Sequence, residues 1–349
     1  MSIKIRILQA NHGDSILVTH EGPKGVFNML IDGGDGATFK YGARGRNPGA
    51  LQIALDEIKR KGQNIDLAIL THIDDDHING LLRAFETPSY LSGMVKSIWF
   101  NSSRLITDFF SVPDIPENAV RLSDETPETS MKQGKDLEKL LNELDCERPS
   151  ILITGPSFKK GPFRFTILSP DRERLQKLLH KWPESSDSAE TSSHSNDYSL
   201  SIDQILAKDI FEEDGSVYNG SSIAFIAEAD NKAMMFLGDS HDKIIVQSLR
   251  SLGFTESKKI KLDLIKISHH GSQYNTSPEF LSLVDSDRFV ISTDGSRHGL
   301  PNKRTIARIL ASTKGKILFN YKEVITALLL PHESAFLSRF EELNDDIKL

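Results

Sequence analysis

The chain has 349 residues and a single cysteine, with 42 Lys and Arg against 49 Asp and Glu, giving a formal charge of −7. That length buries a full core without covalent staples, and the lone Cys146 excludes both a disulfide framework and a thiolate zinc site. The acidic balance excludes a protein that holds nucleic acid by bulk charge and leaves only a local basic groove for that purpose.

The opening "MSIKIRILQANHGDSILV" alternates apolar and polar residues on either side of the polar punctuation at 11–14, and reads as strands rather than as a signal peptide. "FNMLIDGG" is an apolar strand stopped by glycines, which makes the opening antiparallel. Residues 49–62, "GALQIALDEIKRKG", put Leu51, Ala54, Leu55 and Ile58 on one helical face and end in a basic turn and Gly62. "DLAILTH" returns as a short apolar strand, so the run "HIDDDH" leaves the C-terminal end of a strand, where α/β sheets usually hold ligands. A helix is predicted over "INGLLRAFE", a strand over "VKSIWFN", helical spacing within the polar stretch 111–148 at "KDLEKLLNEL", and a strand over "RFTILSP". The polar run at 183–197 reads as an insertion of low complexity.

The second half repeats this grammar. "SSIAFIAEADNKAMMFLGDS" is a hairpin across 229–231, "DKIIVQSLRSLG" a helix, and "LDLIKISHHGS" a strand that ends in histidines. "DRFVISTDG" and "ITALLL" are read as further strands, and the chain after about 330 as a C-terminal extension. Two strand-rich halves that deliver His and Asp from strand ends predict an α+β sandwich of two sheets with helices outside. No window approaches eighteen uninterrupted apolar residues, so no membrane partner is expected and a cytoplasmic protein is.

His72, Asp74, Asp76 and His77 form H-x-D-x-D-H. Carboxylates this close repel one another unless positive charge lies among them, and alternate positions in a tight loop aim pairs of donors the same way. Three other strands stop at residues of the same kind: Asp32, Asp239, and the pair His269 and His270. Singly, an Asp before a turn is a cap; four such strand ends in one chain point to metal.

The set "HGDSILV", "LIDGG", "THIDDDHING", "NGSSIAFIAEADNKAMMFLGDS" and "KISHHGS" resembles the metallo-β-lactamase superfamily, and within it the branch that holds the hydrolase domain of the competence protein ComEC. The resemblance runs from residue 3 to about 302. It implies a single domain over 1–349 with a four-layer αββα sandwich and two divalent metal ions, zinc or manganese. One ion would take His72, Asp74, Asn219 and Asp239. The second would take Asp76, His77, Asp239 and His270, with Asp239 bridging and Asp32 orienting a ligand histidine from behind. Which of His269 and His270 is the ligand stays open, as does the choice between Asn219 and a residue of 194–196 such as His194 or Asn196.

Two departures bear on the metal. Asp74 and Asn219 stand where many relatives carry histidines, so the first site is rich in oxygen and suits manganese as well as zinc. Asp76, His269 and His298 are the implied catalytic residues, although Leu300 precedes Pro301 where relatives often have Gly-His-Pro. His12 and the cations Lys40, Arg44 and Arg46 of "KYGARGRNP" are the expected substrate contacts. The implied activity is hydrolysis of phosphodiesters, in nucleic acid or a nucleotide, by a metal-activated water, in a DNA-processing or phage-defence setting with partner proteins of a multi-gene system. The alternatives are hydrolysis of a carboxylic ester, amide or thioester, and a regulatory or binding subunit with structural metals.

Overall fold

The structure is a computed structural model and describes residues 1–113, 127–144, 146–181 and 196–349. Most of the polar run at 183–197, with His194, therefore lies outside the described residues, as does the side chain of Arg44. Two compact units divide the chain: Met1–Leu152 with Arg172–Thr191 and Lys348, and Ile153–Asp171 with Ser192–Ile347 and Leu349.

In the first unit the strands β1 (Ser2–Ile7), β2 (Ile16–Gly22) and β3 (Gly25–Ile31) pair antiparallel, Ile5 opposite Val18 and Val18 opposite Met29. The sheet continues in parallel through β4 (Leu67–Ile69) to β5 (Ile98–Trp99). Helix α1 (Ala50–Arg60) buries Leu51, Ala54, Leu55 and Ile58, the face its spacing predicts. Each such fully buried aliphatic side chain contributes about 1.5–3 kcal/mol. Arg6 on β1 reaches Glu57 on α1 at 2.8 Å. Helix α2 (Asp75–Glu86) leaves the aspartate run and buries Ile78, Leu81, Leu82 and Phe85, and α3 (Pro127–Glu143) packs on it.

The second unit is built on a longer sheet, β6 (Phe158–Lys160), β7 (Phe163–Ser169), β8 (Ala224–Ala229), β9 (Lys232–Phe236), β10 (Leu264–Lys266), β11 (Arg288–Ile291), β12 (Lys316–Phe319) and β13 (Phe340–Glu342), adjacent in that order. From β6 to β9 the pairing is antiparallel, and from β9 to β13 it is parallel. Its core joins Met235, Ile265, Phe289 and Phe319 of the sheet to Ile245 and Leu249 of α4 (Asp242–Ser251), Phe280 of α5 (Pro278–Leu283) and Ile306 of α6 (Lys303–Ser312). Parallel strands send several C-terminal ends to one side of a sheet, which is how Asp239, His269 and His270 come together.

One strand expectation fails. The run "ITALLL" falls mainly in α7 (Lys322–Leu328), because Val324 and Leu328 are buried four residues apart and so share a helical face. The strand at this point of the sheet is the preceding Lys316–Phe319. The chain after 330 is built into the second unit: Phe340–Glu342 adds an edge strand, and Glu333, 4% exposed, accepts the Lys303 ammonium at 2.6 Å. Among the described residues no helix is long and apolar enough to cross a membrane.

Candidate metal-binding clusters

The first unit carries a His–Asp cluster at the end of β4. Asp32 lies just past β3 with φ of 55°, a left-handed backbone uncommon for non-glycine residues but more open to Asp than to most. Its Oδ1 accepts the Thr71 N–H at 2.7 Å, and its Oδ2 takes the Thr71 hydroxyl at 2.7 Å and the His77 Nδ1 at 2.9 Å. The Thr71 hydroxyl oxygen also lies 3.1 Å from His72 Nδ1. Both imidazoles are therefore held by Nδ1, which fixes the tautomer and makes Nε2 the ligand atom. The two rings stand side by side, centroids 4.2 Å apart.

The three aspartates divide by direction. Asp75 turns to the helices, where its Oδ1 accepts Asn79 Nδ2 and Gln133 Nε2, each at 2.8 Å. Asp74 and Asp76 turn to the imidazoles, with Asp74 Oδ2 3.5 Å from His72 Nε2 and Asp76 Oδ2 4.0 Å from His77 Nε2. Asp74 occupies the N-cap position of α2 without capping it, although capping is the ordinary use of an aspartate there. The positive end of the helix dipole beneath these carboxylates offsets part of their repulsion. His12 sits in the turn before β2, whose backbone rests on the same loop: a Cβ at Gly13 would stand 2.0 Å from the Asp76 carbonyl, and the Asp14 N–H donates to that carbonyl at 3.2 Å. Lys40 lies beside Tyr90 with its Nζ 5.9 Å from the ring centroid, and Arg46 is exposed on the loop that follows.

The second unit holds its own cluster. His269, His270 and Gly271 follow β10 in three consecutive left-handed conformations, with φ of 47°, 53° and 90°. That bend turns both imidazoles towards Asp239 at the end of β9, His269 Nε2 at 3.8 Å and His270 Nε2 at 3.7 Å from its Oδ2. His270 Nδ1 donates to the Ser292 carbonyl at 2.9 Å. His269 Nδ1 lies 3.1 Å from Asn275 Oδ1, 3.4 Å from Asp214 Oδ2 and 3.3 Å from Asn219 Nδ2. Asn219 thus stands on the Nδ1 side of His269, away from the nitrogen that faces Asp239, and its amide donates to Asp214 at 2.8 Å. Asn196 is an exposed residue of the loop before Tyr198, whose N–H it accepts at 3.3 Å.

His298 is exposed, in a turn with φ of 55°. Its loop closes on the histidine turn through the Asn302 N–H, which donates to the Gly271 carbonyl at 3.0 Å. Lys266, 1% exposed, donates its ammonium to the Ile267 carbonyl at 3.0 Å.

The electrostatics match this geometry. Burial works against the His269 cation, but the Asp239 charge and the Asp214 hydrogen bond and charge outweigh it and lift its pKa to about 9. Burial also raises the Asp214 carboxyl, yet the His269 hydrogen bond and charge, with Asn219 and the Ser216 N–H, hold it well below the usual carboxylate range.

The donor sets fit divalent metal. At 3.5 to 4.0 Å, the four Nε2–carboxylate pairs are too long for good hydrogen bonds. Donors that share an ion at about 2.0–2.2 Å stand roughly 3.4 Å apart across a tetrahedral edge, close to what each pair shows.

Residues 9–174 match the family model of the metallo-beta-lactamase superfamily. Over those residues, just under half of the chain, the sequence is similar to that superfamily. The chain's fold is the metallo-beta-lactamase fold, an α+β arrangement of several sheets and helices, and the Asp239 cluster lies beyond the matched residues. No curated protein matches the chain.

Similar solved structures include the metallo-beta-lactamase fold protein YhfI from Bacillus subtilis, 10% identical over 99% of each chain with a TM-score of 0.42. Zn(2+)-bound PqqB from Methylobacterium extorquens is 11% identical over 100% of this chain and 99% of its own, with a TM-score of 0.43. The diiron beta-hydroxylase CmlA from Streptomyces venezuelae is 11% identical with a TM-score of 0.43, and this chain spans 54% of its length. Likenesses this distant carry no argument about chemistry.

The motifs did not single out Thr71, Asp214 or Asn275, which hold the histidines. Asp214 and Asn275 are polar loop residues that only the fold sets beside an imidazole, and Thr71, the neighbour of His72 in the chain, meets Asp32 only through the fold. The one signal was the proximity of Asp214 to Asn219 in "EEDGSVYNGSS".

Proposed function

We propose that the protein is a metal-dependent hydrolase of phosphodiesters, of the ComEC-like branch that its motifs resemble. What supports this reading is that four imidazoles are each held through Nδ1 and each turn Nε2 to a carboxylate at 3.5 to 4.0 Å. A structural acidic turn needs no such arrangement. Divalent ions held by the His72–His77 and Asp239–His270 clusters would supply an acidified water and charge for the phosphoryl oxygens.

The residues themselves do the positioning. Asp32 holds His77 and, through Thr71, His72, so the donor atoms are set before any substrate arrives. Asp76 and Asp239 supply carboxylate oxygens. His269 is held through Nδ1 beside Asn275 and Asp214 and turns Nε2 towards Asp239, so where the ion takes His270 it is the imidazole placed to hold a phosphate oxygen or to pass a proton to a leaving oxygen. His298 is the second group for that role. Asp74 adds oxygen character, which favours manganese alongside zinc.

The test is metal analysis of protein purified without chelator, followed by turnover assays on DNA, RNA, cyclic dinucleotides, and carboxylic ester and thioester substrates. Metal-dependent cleavage of a phosphodiester, lost in Asp76→Ala with His77→Ala, is the expected result. Turnover confined to carboxylic substrates would overturn the reading, and bound metal with no turnover on any substrate would mark a regulatory or binding subunit.

A further inference from the structure

The chain is acidic overall, yet one face of the first unit is not. Lys40, Arg46, Lys59 and Arg83 lie together on the elements that follow β3 and on the two helices beside them. The Lys40 and Lys59 ammonium groups stand 5.9 and 5.4 Å from the centre of the Tyr90 ring. Arg83 NH1 donates to the Gly36 carbonyl at 3.2 Å and approaches the Lys40 carbonyl at 3.5 Å. Arg46 projects from the loop between Lys40–Tyr41 and Asn47–Pro48. Among the described residues none of these four cations is paired with a carboxylate, although Asp56 lies close by, bonded to the Tyr90 hydroxyl at 3.0 Å. Tyr41 stands beside them, 52% exposed.

This face is tied to the metal-ligand loop through one helix. Arg83 Nε donates to Asn79 Oδ1 at 3.2 Å, and Asn79 Nδ2 donates to Asp75 Oδ1 at 2.8 Å, a ladder of positions i, i+4 and i+8 along α2. Eight residues of helix span about 12 Å. The His72–His77 cluster starts at one end of that span and the cations lie at the other. A Cβ at Gly80 would stand 2.0 Å from the Gly33 carbonyl, so helix and strand end are fitted backbone to backbone and the two features move as one piece.

We propose that Lys40, Arg46, Lys59, Arg83 and Tyr41 form a binding surface for a single-stranded polynucleotide, holding its backbone about 12 Å along α2 from the metal-ligand loop. The inference rests on the phosphodiesterase reading and narrows its substrate to a strand. A mononucleotide at the ligand loop is too short to reach the cations. Unpaired Lys and Arg answer the evenly spaced phosphates, and an exposed tyrosine is the stacking platform that single strands use and duplexes hide from. An anionic membrane would call for an apolar wedge beside the cations, and Tyr41 is the single large exposed apolar side chain in the group.

The test measures binding without cleavage. Chelator-treated protein is titrated against a labelled oligothymidylate by fluorescence anisotropy at several salt concentrations, with phosphatidylserine vesicles and polyglutamate as the other polyanions. The parent is expected to bind the oligonucleotide. Arg46→Ala with Lys59→Ala should weaken it at least about tenfold and flatten the log–log salt slope by about 1.4, the share of two phosphate contacts. The charge-keeping pair Arg46→Lys with Lys59→Arg should retain binding, and Tyr41→Ala should weaken it roughly 5- to 150-fold. No binding by the parent, equal binding by the double-alanine protein, or capture of vesicles or polyglutamate in place of the oligonucleotide would each overturn the proposal. Because metal is absent, the result is separate from turnover: a protein that cleaves small phosphodiesters without holding a strand sinks this inference alone.

Discussion

His77 and Asp32 are 45 residues apart in sequence and 2.9 Å apart in space, ring Nδ1 to carboxylate Oδ2, both buried. That contact converts a loop imidazole into an oriented donor. Asp32→Asn keeps an oxygen for the Thr71 N–H but replaces the acceptor at His77 by an amide that cannot take its proton. Apparent metal affinity should fall about 10- to 100-fold, as it does when such partners are lost elsewhere. Titration of chelated protein with zinc and manganese checks this; unchanged affinity would mean that Asp32 only steadies the loop.

A second prediction concerns Asp242, at the start of α4. Burial pushes its carboxyl up from 3.8 to about 6, with Glu213 and Glu279 adding to the rise against the Ser277 N–H and side chain. A folded-state pKa above the unfolded value means that the folded protein binds the proton more tightly. The contribution of this carboxyl to stability is therefore greatest below about pH 4, falls as pH rises towards 6, and stays reduced above it. The full cost is about 3 kcal/mol at most. Asp242→Asn keeps an acceptor for the Ser277 N–H and should raise the melting temperature at pH 8 while flattening the profile between pH 4 and 6. Thermal unfolding of metal-free protein across that range decides it.

Arg308 supports the second cluster from a distance. Its guanidinium forks onto Asp209, Nε to Oδ2 and NH2 to Oδ1, each at 2.8 Å, while NH1 donates to the Gln273 and Thr276 carbonyls that flank Asn275. Asn275 in turn faces His269. Arg308→Ala leaves Asp209 with the Arg304 guanidinium alone, at 3.0 Å, and releases those carbonyls, so a loss of about 1.5–3 kcal/mol in unfolding free energy is expected. Denaturant melts measure it, and a loss below about 1 kcal/mol would show that the loop has other support.

Much of this was legible before folding because it depends on short-range pattern. Period-two alternation marked β1 and β2, helical spacing marked α1 and α2, and the H-x-D-x-D-H run marked the first cluster. The "ITALLL" run misled because a short apolar stretch satisfies both periods, and burial at Val324 and Leu328 decided it. Asp214, Asn275 and Arg308 were invisible for another reason. Asp214 meets Asn275 across 61 residues and Arg308 meets the Gln273 carbonyl across 35, separations that no local pattern records, while Asn275 comes to face His269 only through the turn between them.

The last prediction concerns which metal works. At the N-cap of α2, an aspartate that accepted a backbone N–H would stabilise the helix by about 1 kcal/mol, yet the Asp74 side chain makes no such bond. Its Oδ2 lies 3.5 Å from His72 Nε2 instead, so replacing it should cost the helix little and change the donor set directly. Asp74→His turns a pair of imidazoles with two carboxylates into three imidazoles with one. Nitrogen-rich sets suit zinc, and oxygen-rich sets suit manganese and magnesium. In the parent, manganese should restore activity to chelated protein at least as well as zinc; in the variant, the order should move towards zinc. Turnover of a phosphodiester across both metal titrations is the measurement. If the parent responds to zinc alone and the variant behaves identically, Asp74 does not touch the metal and the ligand set must be redrawn around His72, Asp76 and His77.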